Sequence, residues 1–202
     1  MQSGGFNNLT HLDLSVCKRY AHLCVCVFDE GALPHDRSIE CSLQGTVVGF
    51  ENLTNLRVLS LTSTFVDTNT LLSLHTLTNL HTLYLSGVPT LTPAVATKWA
   101  ESLTKLTALR ASECHVSDEV LITLCTALTK LRELNLKANS RITDEAAAPA
   151  LRHLTHLQLL DLSVNASLGD FTLEAIQHAT QLRSLNLSNV RRVIIRAGAA
   201  EI

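Results

Sequence analysis

Six cysteines and nine histidines are the residues of this chain best equipped for chemistry. Cys17, Cys24, Cys26 and Cys41 lie in one region, with His22 and His35 nearby. Thiolates and imidazoles of this kind hold zinc in tetrahedral sites. Here, however, the spacing is C-x6-C-x-C-x14-C, without paired C-x2-C units, and a C-x-C pair rarely supplies both ligands without strain. The favoured account is plainer: the cysteines serve as small apolar residues, with Cys41 inward on a strand and Cys125 on a buried helix face. Reduced thiols of that sort favour an intracellular, cytoplasmic chain. His75, His81, His153, His156 and His178 are scattered without a His-Glu-x-x-His spacing, and read as surface residues. The chain has no Gly-rich phosphate loop, no G-x-S-x-G elbow and no paired carboxylate motif. The expectation is therefore a chain with no catalytic residues, no metal site and no cofactor.

The elements that would carry these residues come from composition and periodicity. With 202 residues, 46% of them hydrophobic and 17% charged, the chain is globular in character. A formal net charge of −2 gives no electrostatic case for a nucleic acid or an anionic membrane. No apolar run approaches the roughly 18 residues of a membrane span. The first residues, MQSGGFNNLTHLDLS, lack the basic end and apolar stretch of a secretory signal.

Leucine is in large excess, and it recurs in a pattern. LTHLDLSVC from Leu9, LTNLRVLSLTST from Leu53, LTNLHTLYLSGV from Leu77, LTKLTALRASEC from Leu103, LTKLRELNLKAN from Leu128 and LTHLQLLDLSVN from Leu154 align directly. ATQLRSLNLSNV from Ala179 is a seventh copy with one substitution. From Leu59 the central leucines Leu83, Leu109, Leu134, Leu160 and Leu185 follow in steps of 24, 26, 25, 26 and 25 residues. Within each unit, L-x-L alternation predicts a strand with one buried face. Between units, Ser117 and Thr143, each followed by two acids, read as helix caps; Thr92 precedes Pro93 at a first helical position. GDFTLEAIQHAT and VDTNTLLSLHTL are weaker helices, and Pro149 should kink or shorten its own. Trp99 stands where a helix contributes to the core. Such strands bury their leucines only by parallel stacking, with the helices closing the other face.

These units resemble the leucine-rich-repeat family, motif L-x-x-L-x-L-x-x-N/C, over roughly residues 6–190 less one stretch. The ladder position holds Cys17, Thr64, Val88, Cys114, Asn139, Asn165 and Val190. CHVSDEVLITLCTALTKLREL and NSRITDEAAAPALRHLTHLQLL look like the cysteine-containing, F-box-associated subclass. The resemblance implies an α/β solenoid: a curved right-handed stack of about 7–8 repeats, with a parallel sheet on the concave side and short helices on the convex side. Thr64, Val88 and Val190 depart from the motif, so the side-chain ladder should break there. Residues 1–202 read as a single domain with an irregular or inserted segment at about 18–50. In that segment IECSLQGT reads as a degraded eighth strand, with Cys41 and Leu43 inward and Thr46 at the ladder. The run LCVCVF is the competing strand. The order C…C-x-C…C also resembles the disulfide-bonded amino-terminal cap of extracellular repeats, at the wrong place and intervals. The sequons at Asn8, Asn52, Asn165 and Asn186 arise from the repeat itself, so they say little for secretion.

The motif also sets the outward columns of the sheet. Its bulky members, Tyr84, Arg110, Glu133, Lys137 and Asp161, cluster over four consecutive repeats and form the candidate partner-binding residues. The competing account is a solvated face on which Glu133 and Lys137 offset each other. The function expected is non-enzymatic binding of a protein partner through the concave face. Alternatives are the substrate-receptor part of a ubiquitin ligase and an extracellular recognition domain. Nucleic-acid and membrane partners are not expected. The repeat begins almost at once and ends soon after its seventh strand, so the chain is expected to be a piece of a longer repeat protein, or to self-associate through uncapped ends.

Overall fold

The structure is a computed structural model that describes residues 10–13, 44–45, 50 and 53–190. Its frame is a parallel sheet of seven strands among the described residues. These are β1 (His11–Asp13), β3 (Val58–Ser60), β5 (Thr82–Tyr84), β6 (Ala108–Arg110), β7 (Glu133–Asn135), β8 (Leu159–Asp161) and β9 (Ser184–Asn186), in that order. Leu12, Leu59, Leu83, Leu109, Leu134, Leu160 and Leu185 stand in one register across it. All but Leu185 are buried; Leu185 keeps its register but remains 42% exposed. The fold is a leucine-rich-repeat solenoid, as the periodicity predicts.

Helices α1 (Thr68–Ser73), α2 (Pro93–Ser102), α3 (Asp118–Ala127), α4 (Asp144–Leu151) and α5 (Asp170–Ile176) close the opposite face. Thr92 and Ser117 cap α2 and α3 as expected, accepting from the amides of Val95 and Val120. Pro93 takes the first position of α2. Helix α4 ends two residues after Pro149 and is eight residues long against ten for α2 and α3. Trp99 is fully buried, and its indole N–H donates to the Leu71 carbonyl at 2.8 Å.

Of the expected eighth strand, the two described residues do not enter the main sheet. Gln44–Gly45 is a strand, β2, but it pairs with β4 (Phe65–Val66) in a separate two-stranded sheet. Strand β1 pairs directly with β3, and the Thr10 carbonyl already accepts the amides of Arg57 and Val58. That leaves no place between them for another coil. Leu14, Ser15, the cysteines 17, 24, 26 and 41, His22, His35, Leu43, Thr46, the LCVCVF run and the residues after Val190 lie outside the described residues.

The turn after each strand carries the least negotiable geometry. Ser63, Gly87, Glu113, Ala138, Val164 and Asn189 all have φ between 56° and 77°, and each stands just before a ladder residue. This conformation aims the N–H of the first five at the next coil: Ser63 donates to Ser86, Gly87 to Ser112, Glu113 to Lys137, Ala138 to Ser163 and Val164 to Ser188, at 2.7–2.9 Å. Beneath it runs the side-chain ladder. Asn139 donates to the carbonyls of Ala111 (2.8 Å) and Leu136 (2.9 Å) and accepts from the amides of Cys114 and Val116. Asn165 donates to Leu136 and Leu162 and accepts from the Asn139 amide. Cys114 Sγ approaches the carbonyls of Leu85 and Ser112 at 3.1 and 3.3 Å. Thr64 keeps one local bond, to the Leu61 carbonyl, so the ladder thins there without vanishing. Val88 and Val190 have no polar atom to offer.

A second set of cross-coil bonds runs along the helix starts. Asp118 accepts from the amide and hydroxyl of Thr143, both at 2.8 Å. Asp144 accepts from the amides of Gly169, Phe171 and Thr172 and from the Thr172 hydroxyl. A Cβ added at Gly169 would stand only 3.2 Å from an Asp144 carboxylate oxygen. These acids stand in the first turns of their own helices, as read from sequence, and in addition bond the start of the next one. Burial raises the Asp144 pKa, but the bonds from Thr172, Gly169 and Phe171 outweigh it and hold the group below the usual carboxylate value.

Two outcomes follow for stability. Val164, β-branched at φ 61° and 42% exposed, loses little packing on replacement. Val164→Asn should therefore raise unfolding stability by about 1 kcal/mol in urea, because Asn tolerates this conformation; no gain would remove strain as the cost at this position. Asp144→Ala should lower stability by roughly 1–2 kcal/mol near pH 7. Since the folded pKa is depressed, the contribution is present above the ordinary carboxylate value and lost as pH falls through the folded one. The difference from wild type should shrink toward zero in acid.

Candidate protein-binding surface

The outward side chains of the sheet come in register. Ser60, Tyr84, Arg110, Asn135, Asp161 and Asn186 form the central column, and Val58, Thr82, Ala108, Glu133, Leu159 and Ser184 the one before it. Three of the five candidates meet. The Arg110 guanidinium lies over the Tyr84 ring, 4.7 Å from its centroid. Its Nε donates to Glu133 Oε1 in a charge-assisted bond. Glu133 is in register with Ala108, so Arg110 reaches it diagonally, which only a long side chain allows. Glu133, chiefly through that hydrogen bond, holds the Arg110 pKa above its ordinary value against the opposing effect of burial.

Lys137 and Asp161 do not join this group. Lys137 is exposed in the turn after β7, and its backbone N–H donates to Asn135 Oδ1 at 3.0 Å. The described Glu133 pairs with Arg110, so an offsetting Glu133–Lys137 pair is not what the sheet contains. Asp161 turns to its own strand end, accepting from the Ser163 amide (2.9 Å) and hydroxyl (2.6 Å), and takes a further bond from Asn186. Asn186 repeats the arrangement with Ser188. The central column is therefore partly committed to pinning the strand ends.

Leu159, next to Glu133 in register, is 42% exposed. It is the apolar residue that the column reading contained but did not single out; its signal was a leucine at an outward position. A half-buried ring, a clamped guanidinium, a carboxylate and an exposed leucine thus run across four adjacent strands. This arrangement can recognise a surface by charge-assisted bonds and apolar contact.

The described cysteines are chemically quiet. Cys114 and Cys125 are buried and unpaired. Burial pushes their thiols up to about 11 and about 12 respectively. Asn165 of the third sequon is buried in the ladder. No described helix is long and apolar enough to cross a membrane.

No protein-family model and no curated protein matches this sequence. Solved structures do match: one is an internalin, InlF, from Listeria monocytogenes str. 4b F2365. It shares 25% identity and aligns with a TM-score of 0.57, over 74% of this chain and 40% of that one. The chain therefore spans 40% of the length of that internalin. The likeness supports the leucine-rich-repeat family in general and does not reach the cysteine-containing subclass. It also fits a protein-interaction module.

Because only the thiolate reacts, Cys114 and Cys125 should resist a thiol reagent at about pH 8 until the chain is unfolded. Mapping the modified residues by mass spectrometry checks this. Rapid labelling of either in the native chain would mean that its coil opens readily. The same experiment in denaturant without reductant counts free thiols. All six free is the expected result for a reduced, intracellular chain.

Proposed function

We propose that this chain is a non-enzymatic module that binds a protein partner through its concave sheet face, in the cytoplasm. The observation that carries the reading is the Tyr84–Arg110–Glu133 row. A guanidinium fixed between a ring and a carboxylate has already lost most of its rotamer freedom, so less entropy is spent when a partner docks. Arg and Tyr are also the side chains that most often anchor interfaces. Leu159 supplies apolar contact beside them, while Lys137 and Asp161 extend the surface along the strand ends. Most of the other column members are small and polar, Val58 and Ala108 excepted, which gives a smooth trough suited to a protein surface. The substrate-receptor reading is favoured only by the subclass-like run from Cys114 through Ser117 and Asp118. Capture of a ubiquitin-ligase scaffold by the wild-type chain would select it.

Arg110→Ala with Lys137→Ala should remove captured proteins that wild type retains, while the melting temperature changes by no more than a few degrees. An exposed ion pair is worth about 1 kcal/mol or less, so the fold does not depend on it. Affinity capture with both chains, followed by identification of what is lost, makes the comparison. A confirmed partner held equally by both would move the interface off the sheet.

A further inference from the structure

The edge at which the strands begin has a different electrostatic character from the chain as a whole. Arg57, His81, Thr107, Arg132, Gln158 and Arg183 each stand immediately before a strand of the sheet. The carbonyls of the first five each accept two amides of the next coil, so their backbones are fixed one per strand. Two residues earlier runs a parallel column: Asn55, Asn79, Lys105, Lys130, His156 and Gln181. Neither column contains an acid. Of the acids nearby in sequence, Glu133 is paired with Arg110 and Glu101 with Lys98, while Asp161 accepts from Ser163 and Asn186. Among the described residues no carboxylate lies within ion-pair distance of Arg57, Lys105, Lys130, Arg132 or Arg183; the ion pairs there are Lys98–Glu101 and Arg110–Glu133.

Five acids stand at the other edge. Asp118, Glu119, Asp144, Glu145 and Asp170 occupy the first turns of α3, α4 and α5, where strand ends feed the helices. The formal net charge of −2, counted over the whole chain, conceals this cationic strip. Neighbouring strands are about 4.8 Å apart, well inside the Debye length of about 8 Å in physiological salt, so cations on adjacent coils act together.

The strip also has relief. Thr10, Asn55, Arg57, Asn79, His81 and Lys105 line a cleft of about 540 Å³ at its first coils. Side chains there are already ordered by neutral partners. Lys105 Nζ donates to Asn79 Oδ1 at 2.6 Å, and Asn79 Nδ2 donates to the Thr54 carbonyl at 2.9 Å. Those contacts hold the ammonium in place without neutralising it.

We propose that this strand-start edge is a second docking surface, and that its occupant is a short acidic polypeptide segment laid across the coils. Carboxylates of the segment pair with Arg57, Lys105, Lys130, Arg132 and Arg183, while Asn79 and Gln158 offer hydrogen bonds between them. Six strands span about 24 Å, which an extended segment of roughly seven residues covers. A polypeptide fits better than a nucleic acid for two reasons. The two columns present no Phe, Tyr or Trp ring on which bases could stack, their only rings being the imidazoles of His81 and His156. The acidic opposite edge would also repel a polyanion long enough to extend beyond the strip.

The test uses the full chain and a fluorescent peptide of about ten residues alternating Glu and Ser, followed by anisotropy at low salt. Binding should weaken about tenfold or more on raising salt from about 20 to about 200 mM. Lys105→Ala/Lys130→Ala/Arg132→Ala should cost at least about tenfold. Gln158→Glu, nearly the same shape, should weaken binding by placing a like charge in the strip. The Arg110→Ala/Lys137→Ala chain should bind the peptide within about twofold of wild type, since those side chains lie on the sheet face and in the turn after β7, away from the strand starts; this keeps the outcome independent of the concave reading. No binding at low salt, an unaffected triple variant, or equal binding of a Lys-Ser peptide would overturn the proposal. An oligothymidylate of similar length that binds more tightly through the same edge residues would overturn it in favour of a nucleic acid.

Discussion

A single coil of this protein can neither bury its leucines nor satisfy its own backbone, and everything else in the structure follows from that constraint. Leu83, Leu109, Leu134 and Leu160 are each covered by the coils on either side. The strands are only three residues long, too short for stability except as members of a stack. Their hydrogen bonds, the turn amides and the Asn139–Asn165 ladder all run from one coil to the next. The stack is cooperative because each group finds its partner about one repeat away.

Redundancy in those cross-coil bonds explains why the motif tolerates substitution. At the ladder position a buried polar side chain without partners would cost about 1–3 kcal/mol, so Asn is useful only where it is fully bonded, as Asn139 is. Valine at position 88 loses those bonds but leaves no orphaned side chain, and the Gly87 amide still reaches Ser112. The backbone conformation before the ladder is less negotiable. It persists at Glu113, Ala138 and even Val164, residues that do not favour it, because the next coil's carbonyl is there to be met.

The same repetition aligns side chains of like position into columns, and that is how a structural motif acquires surfaces. On the sheet face, the long Arg110 bridges Tyr84 and Glu133 across neighbouring strands. Along the strand-start edge, polar positions that each tolerate many residues happen to exclude acids in six successive coils. At the helix starts the acids are drawn in, both by helix N-termini and by the amides of the following coil. A protein of nearly neutral net charge is left with separated charge.

Much of the architecture was legible in the residues themselves. The step of 24–26 residues, the L-x-L strands, the caps Thr92 and Ser117 and the buried Trp99 are local signals, and local signals survive in any well-packed coil. Tyr84, Arg110, Glu133, Lys137 and Asp161 were all read as outward members of the sheet from the motif, and the structure places Lys137 in the turn beyond its strand. Their partners were not legible. Glu133 meets Arg110 and not Lys137 because the reach is diagonal and spans a repeat. Asp118 and Asp144 stand in the first turn of their own helices, as the sequence indicates, but their bonds to the start of the next helix were not legible for the same reason. Gln44–Gly45 has strand character, yet only the stack decides that β1 and β3 are already joined and sends it to Phe65–Val66. Periodicity determines which side chains face which way; the offset between coils, a tertiary quantity, decides what each one touches.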